Sequence, residues 1–515
     1  MIRIKGLLSS AVALLFLSAF SQAQILNSDK ESCMACEELK NLILPDVIIS
    51  QASQLDDPVS HCKILGIIGK EIHFELLLPK EWNARFVMGG NGGFAGAFND
   101  FLGNRKEVSK GYATGLTDTG HKGNMFKADW ALDNMERQLN FGHLAVHRTA
   151  VVSKEIIRQY YCSGPAYSYF YGCSGGGGQA MSEAQRYPND FDGIVAGAPA
   201  INWPAFSAMF LHNANTMYPD PTNFNNAILS KKNLELLQTT ILEYCDANDG
   251  ISDQILNDPT DCDFDIDLLP KCPEDVADDN CFTSIQINAI REIYAGVKVA
   301  DEEIHSGFPF GCENDPEGWL PWIVGPDMVA MEQFNYPTRL FALAVDMFKY
   351  LVFQDPNWDY NSYDFSNLKE DSRYASSYLD ATSTNYNPFK DRGGKMILYH
   401  GWNDPAQSAF TTIDHYNAAL KEDGQLGDYI KLFLLPGVVH CGGGPGPSQT
   451  DWIELVRAWV EQGIAPERVI LSKTTDDKVS MTRPVFPYPN KAVYDGKGDP
   501  YKESSFNKST TTNKE

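Results

Sequence analysis

One short stretch limits the folds open to this chain: Tyr171-Gly172-Cys173-Ser174-Gly175-Gly176-Gly177-Gly178. Strand-forming aromatics from Tyr167 to Tyr171 lead into it, and a helix-like stretch, Gln179 to Arg186, leads out. Gly172-x-Ser174-x-Gly176 is the spacing of a sharp strand-to-helix turn with a hydroxyl at its apex. Glycine is needed there because a Cβ clashes with the neighbouring strand or helix. The following helix directs its unpaired N–H groups at the same point. Taken alone, the stretch is equally a flexible glycine linker that happens to hold a serine.

The segments on either side favour the turn. Val47 to Ser50 is a short extended segment, Ile64 to Leu78 reads as paired strands, and Arg85 to Met88 is another strand. Tyr112 to Leu116 is a further strand, and Leu139 to Tyr160 a long helix with Leu144, Val151 and Ile156 on its apolar face. After Ser174 come a buried strand, Gly193 to Ala196, and later a strand at Lys395 to Tyr399. A helix (Thr411 to Leu420), a strand (Ile430 to Leu435) and a last helix (Trp452 to Gln462) follow. Short apolar strands alternating with helices predict a parallel sheet covered on both faces. From about Trp203 to Arg392 the alternation stops. That stretch is rich in aromatics, Asn, Asp and Pro, with helices expected at Lys231 to Tyr244, Thr283 to Ala295, Val329 to Asn335 and Arg339 to Phe353. It reads as an inserted domain. The expected division is 1–23 leader, 24–202 and 393–498 sheet core, 203–392 insertion, and 499–515 a frayed polar tail.

Arg3 and Lys5 precede an apolar run from Leu7 to Phe20, closed by Ser21-Gln22-Ala23. This is the pattern of a secretory signal cut after Ala23, which predicts a secreted or periplasmic protein. The run is too short to span a bilayer, and no later stretch reaches ~18 apolar residues, so no membrane segment is expected. No cysteine directly follows the cut, which weighs against a lipid anchor. Lys and Arg number 42 against 67 Asp and Glu, a formal charge of −25 that argues against nucleic acid and anionic membranes as partners. Eleven cysteines lie beyond the cut, and outside the cytoplasm disulfides are the default for them. The odd number leaves at least one thiol free or paired between chains. Cys33-Met34-Ala35-Cys36 has redox spacing but no thioredoxin-like surroundings.

Three groups then fall in the order Ser174, Asp404, His440, each just past an expected strand. That is the chain order of the α/β-hydrolase fold and of neither major serine-protease fold. A serine hydroxyl needs an imidazole to take its proton, and the imidazole needs a carboxylate to fix its tautomer and stabilise its cation. The oxyanion needs two preorganised donors, for which the Gly175 N–H and one from the Gly89–Gly93 loop, Gly92, are the candidates. Singly, His440 is more often structural and Asp404 a turn residue. Together, in order and at strand ends, they read as catalytic. Cys173 precedes the serine and Cys441 follows the histidine, so contact between Ser174 and His440 brings these sulfurs within disulfide reach.

This Cys-Ser…Asp…His-Cys arrangement resembles the tannase and feruloyl esterase family. Trp82-Asn83, Gly90-Asn91-Gly92-Gly93-Phe94, Thr117-Asp118-Thr119-Gly120-His121, Arg186-Tyr187-Pro188 to Pro199, His400-Gly401-Trp402 and Asp451 to Pro466 look like the same family's signatures. Coverage runs from about Cys36 to Asp499. The resemblance implies an α/β-hydrolase core with a large lid that carries most substrate contacts. It also implies an ester of an aromatic acid such as ferulate or gallate, free or attached to a plant polysaccharide or polyphenol.

The lid of that family holds calcium. Here Cys245 to Ile255 packs three carboxylates into eight residues around a glycine turn, a crowding that a hard cation relieves, though not at EF-hand spacing. An acidic surface turn has the same composition. By the resemblance, Asp246, Asp249 and Asp253 bind calcium through side chains, and Ile251 and Ile255 through carbonyls. The resemblance also implies the pairs Cys36–Cys62, Cys173–Cys441, Cys245–Cys262 and Cys272–Cys281, leaving Cys33, Cys162 and Cys312 unassigned. Two departures stand out. Many members read Thr-Gly-Gly-Arg after the serine, so Gly175 and Gly178 are expected to cost the turn helix a side chain near the pocket. Many also carry cysteines where Phe486 and Lys508 align, which predicts a less restrained tail.

The expectation is therefore an exported serine hydrolase of aromatic carboxylic esters acting through an acyl-enzyme on Ser174. Terephthalate monoesters, amides or lactones remain alternatives, as does a non-catalytic phenol- or carbohydrate-binding relative.

Overall fold

The computed structural model describes residues 32–98, 103–221, 223–299 and 302–509. The expected signal peptide lies outside the described residues. Seven strands come first: β1 (Val47–Leu55), β2 (His61–Ile68), β3 (Ile72–Pro79), β4 (Arg85–Gly89), β5 (Ala113–Thr117), β6 (Tyr167–Cys173) and β7 (Gly193–Gly197). A long helical insertion follows, carrying one small hairpin of β8 (Val297–Val299) and β9 (Glu302–His305). Then come β10 (Lys395–Gly401) and β11 (Ile430–Leu435).

Nine of these strands form one sheet in the order β1-β2-β3-β5-β4-β6-β7-β10-β11. Pairing is antiparallel up to β3–β5 and parallel from β5 onward. The parallel strands are near-continuous apolar runs because both faces are covered. Side chains alternate between the faces. Phe86, Phe170, Ile194, Met396 and Leu398 pack with Ile156 and Ile157 of helix Ala145–Tyr161 and with Ile413 and Tyr416 of helix Ala409–Glu422. Val87, Tyr169, Val195, Ile397 and Tyr399 turn the other way, onto Trp452, Val456 and Trp459 of helix Trp452–Gln462.

Among the described residues, 198–394 add no strand to this sheet. They bury a core of their own, including Phe210, Leu237, Ile290, Phe341 and Phe348. That core recruits Phe94, Trp130 and Phe141 from before β6, so its apolar contacts reach back into the first half of the chain.

The expected long helix is interrupted. A turn of π-helix, Asn140–Leu144, joins Met135–Leu139 to Ala145–Tyr161. Val151 is 48% exposed while Val146, Thr149 and Ala150 face inward, because Val151 lies five residues, about 140° around the regular helix, from buried Ile156. The helix expected over Arg339 to Phe353 likewise passes from α (Arg339–Asp346) to π (Met347–Val352).

No strand is expected after Leu435, yet β12 (Val469–Thr475) and β13 (Lys478–Val485) form a hairpin. Asp476 and Asp477 turn it with φ of +50° and +59°, the left-handed pair that two-residue hairpins require. Nor is the tail frayed from Asp499. β14 (Ala492–Tyr494) pairs with β15 (Phe506–Lys508), and Phe506 is buried with Phe486, Ala492 and Ile251. The expected less restrained tail is not found: Phe506, the β14–β15 pairing and the Ser509 N–H bond to Lys491 O hold it as far as residue 509.

The four disulfides implied by the resemblance are present: Cys36–Cys62, Cys173–Cys441, Cys245–Cys262 and Cys272–Cys281. A fifth joins Cys33 to Cys162, and Cys312 is a buried free thiol. No helix among the described residues is long and apolar enough to cross a membrane.

Candidate active site

Ser174 is the first residue past β6 and has φ +63° and ψ −124°, a conformation that a side chain adopts only under constraint. The constraint is visible: its N–H donates to Gly197 O at 3.0 Å, and its carbonyl accepts from Ala200 N–H at 3.1 Å. The glycines around it are no linker. All four from Gly175 to Gly178 are buried in the helix Gly175–Arg186, which starts before the expected Gln179. A Cβ on Gly172 would lie 2.2 Å from Gly176 O, and one on Gly177 2.2 Å from Gly197 O. Gly178 meets Ala200 O at 2.2 Å in the same way. Its hydrogen therefore presses on the 197–200 backbone, and the expected loss of a side chain towards the pocket does not describe this position.

β6, β10 and β11 run parallel, so the loops after them open on one edge of the sheet. Asp404 follows β10 and His440 follows β11. Ser174 Oγ donates to His440 Nε2 at 2.9 Å, and His440 Nδ1 donates to Asp404 Oδ2 at 2.7 Å. The Asp404 side chain has no exposure and that of His440 has 13%. Oδ1 of Asp404 accepts from the Ala406 and Gln407 N–H groups at 2.8 and 2.9 Å. Burial pushes this carboxyl up, but His440 and His400 outweigh it and hold it below the ordinary carboxylate range. Behind the line, Cys173–Cys441 joins the serine and histidine loops with Cα atoms 5.9 Å apart.

The glycine loop after β4 lies against the start of the turn helix. Gly90 N–H donates to Tyr171 O, and Asn91 N–H to Gln179 Oε1 at 3.0 Å. Asn91 Nδ2 donates to Thr117 O and Ala97 O at 2.9 and 3.0 Å. A Cβ on Gly175 would meet Gly93 O at 2.9 Å and Asn91 O at 3.3 Å, the residues flanking Gly92. Gly92 and Gly175 are thus neighbours, and the Gly175 N–H, at the first helical position, has no intrahelical acceptor. This arrangement can activate a hydroxyl and cradle a developing oxyanion beside it.

Further side chains complete the site. Trp322, from the insertion, packs edge-on to His440 with ring centroids 5.1 Å apart, and Arg339 lies over its ring. His400 and Gln179 support the line and the glycine loop. Gln179 was legible as the first side chain of the helix after the glycines. Trp322 had no signal, because only the fold brings it to the histidine.

The carboxylate loop lies in the insertion. Asp249 and Asp253 each accept a backbone N–H two residues on, from Ile251 and Ile255. Asp246 Oδ2 accepts from Gln254 N–H at 3.1 Å, while its Oδ1 is buried without a partner. Burial, then the negative charge of Asp253 and that of Asp246, push Asp249 up to about 6. Asp253 Oδ2 accepts from the fully buried Arg483 at 2.5 Å. Among the described residues no three His, Cys, Asp or Glu side chains converge as a metal cluster. A cation here would have to draw on backbone carbonyls too, and Ile251 and Ile255, expected from the resemblance to supply them, are buried residues of the same loop. With its orphan oxygen and mutually repelling carboxylates, the donor set fits a hard cation.

A serine, imidazole and carboxylate aligned at the C-terminal edge of a mostly parallel sheet define an α/β hydrolase. The family model for tannase and feruloyl esterase matches residues 59–509, and the chain belongs to that family of carboxylic-ester hydrolases. It is 32% identical to an uncharacterized esterase of Xanthomonas campestris pv. campestris, over 90% of this chain and 89% of that one. It is 29% identical to the mono(2-hydroxyethyl) terephthalate hydrolase of Piscinibacter sakaiensis, over 87% and 84%. Its fold matches that of feruloyl esterase B from Aspergillus oryzae with a TM-score of 0.81 at 24% identity, covering 92% of this chain and 99% of that one.

Proposed function

We propose that the protein is an exported serine esterase that cleaves esters of aromatic acids through an acyl-enzyme on Ser174. The carrying observation is the unbroken line Ser174 Oγ–His440 Nε2, His440 Nδ1–Asp404 Oδ2. His440 takes the hydroxyl proton as Ser174 Oγ bonds to the ester carbonyl carbon. The oxyanion accepts from the Gly175 and Gly92 N–H groups. Collapse expels the alcohol, which leaves with the proton from His440. Water, deprotonated by His440, then frees the acid and restores Ser174. Asp404 keeps Nδ1 protonated throughout and stabilises the imidazolium. Five disulfides and the expected leader support export.

The substrate reading rests on family membership, and the relative named for hydrolysis of mono(2-hydroxyethyl) terephthalate supports a second reading, in which the substrate is a terephthalate monoester and the acyl group carried on Ser174 is 4-carboxybenzoyl. Four esters separate them: methyl ferulate, methyl gallate, mono(2-hydroxyethyl) terephthalate and a short aliphatic ester. One aromatic ester should be preferred over the aliphatic one. Equal or better turnover of the aliphatic ester would overturn the aromatic assignment.

Calcium belongs to the same proposal, held by Asp246, Asp249 and Asp253 with the Ile251 and Ile255 carbonyls, in a structural role, the loop lying far in sequence from Ser174. Chelation is expected to lower the melting temperature by several degrees, since a ligand at 100 times its Kd adds about 2.7 kcal/mol. Added calcium should restore the loss. A metal-free protein that melts unchanged with and without calcium would remove the site.

A further inference from the structure

Asn403, the residue before Asp404, is where the acid loop meets the insertion. It is buried, and its backbone N–H donates to Val438 O at 3.0 Å, two residues before His440. Its side-chain Nδ2 donates to Phe310 O at 2.7 Å and Gly311 O at 3.0 Å, both in the insertion. That segment is braced from behind. The Gly311 N–H and the Tyr294 hydroxyl both donate to Glu313 Oε1 at 2.6 Å, and Glu313 is completely buried. Gly311 has φ +109°, and a Cβ there would come 2.7 Å from Asn403 Nδ2, so the approach is open only to glycine.

Asp404 is also fixed downstream by the Ala406 and Gln407 N–H groups, and upstream by its own N–H, which donates to Gly401 O at 3.3 Å, and by His400 Nε2, 3.5 Å from Oδ2. Of the upstream holds, Asn403 is the one that reaches both the histidine loop, by its backbone, and the insertion, by its amide. We infer that Asn403 is a positioning residue that ties the Asp404 loop to the Phe310–Gly311 carbonyls through its own amide, so that the Asp404–His440 bond depends on the docked insertion. This rests on reading Ser174, His440 and Asp404 as the working triad. Tyr294 and Glu313 are the far end of the same brace.

The test compares Asn403→Ala and Gly311→Ala with the parent enzyme on whichever ester it turns over. Active sites are counted by titration with a serine-directed phosphonate. Asn403→Ala should lower kcat roughly 10- to 100-fold with little change in KM, the range that a misplaced catalytic group produces. The acid limb of kcat/KM should move to lower pH, because a poorly placed carboxylate stabilises the imidazolium less. Gly311→Ala, which pushes on the same amide, should shift the limb the same way. A residue that only fastens the insertion would reduce the number of active sites and leave the profile where it was. A profile per active site that superimposes on the parent overturns the inference. If Asn403→Ala does not fold, Tyr294→Phe removes one donor to Glu313 and should give a smaller shift in the same direction; no shift there overturns the inference as well. Ser174→Ala, run alongside, keeps the failures apart. If it retains turnover, the triad reading falls, whereas a dead Ser174→Ala beside unshifted Asn403, Gly311 and Tyr294 variants rejects the positioning role alone.

Discussion

Ser174→Ala is expected to lower kcat by a factor on the order of 10⁵ to 10⁶ while leaving an aromatic ester bound with nearly unchanged affinity. The size follows from how such residues act as a unit: without the oxygen, the imidazole and carboxylate have nothing to activate, and only the oxyanion donors and binding remain. The fold should tolerate the change. Ser174 holds the turn through its backbone, by the bonds with Gly197 and Ala200, and its side chain is bonded to His440. Melting should therefore stay within a few degrees of the parent. Asp404→Asn should cost about 10⁴, the effect of holding the imidazole in the wrong tautomer. The sign of the pH dependence follows from Asp404. Its folded carboxyl lies below the ordinary range, so its contribution to stability is present above the unfolded value, about 3.9, and is lost as the pH falls through and below it. Asp404 therefore costs no stability between neutral pH and pH 5; the groups that weaken folding in that window are the histidines His121, His143, His305 and His415, which burial holds down to about 4 and which the unfolded chain protonates first. A Ser174→Ala protein that turned over ester at the parent rate would remove the acyl-enzyme mechanism altogether.

How much of this was legible depends on where the constraint lies. The three chemical groups each follow a strand whose apolar run stands out, so their order alone placed them on one sheet edge. The disulfide between Cys173 and Cys441 was legible by proximity, since contact between Ser174 and His440 forces their neighbours together. The glycine run was read as preceding the helix because four glycines have poor helix propensity. Tertiary packing overrides this: Gly177 and Gly178 allow the helix backbone to press on Gly197 and Ala200 where a methyl group does not fit. The π turns escaped because periodicity assumes a constant pitch; Val151 fell on the wrong face because its spacing of five from Ile156 is not a helical repeat. β15 escaped because Phe506 is a lone apolar residue in a polar tail. Its partners, Phe486, Ala492 and Ile251, are identifiable only once the insertion and the C-terminal hairpins have met. Trp322 and Asn403 belong to the same class, functional neighbours created by docking of the insertion.

Replacing both Cys173 and Cys441 by alanine is expected to weaken folding and catalysis together. The bond spans 268 residues, and restricting so long a loop in the unfolded chain contributes, in the chain-entropy account, on the order of 5 kcal/mol. Cys272–Cys281 spans 9 residues and by the same account contributes roughly half as much, so its removal is the matched control. Catalysis separates the two more sharply. Cys173 and Cys441 adjoin Ser174 and His440, so the bond limits how far the serine and histidine loops can move apart. Without it the 2.9 Å Oγ–Nε2 contact relies on the backbone hold at Ser174 and on Asp404. A misplacement of about 1 Å costs on the order of 100-fold in rate. The Cys173/Cys441 variant should therefore show a fall in kcat of about 10- to 100-fold per folded active site, with KM little changed and the melting temperature reduced. The Cys272/Cys281 variant should lose some melting temperature and keep its kcat. A Cys173/Cys441 variant with full kcat would mean that the sheet alone aligns serine and histidine, leaving the bond only its effect on the unfolded chain.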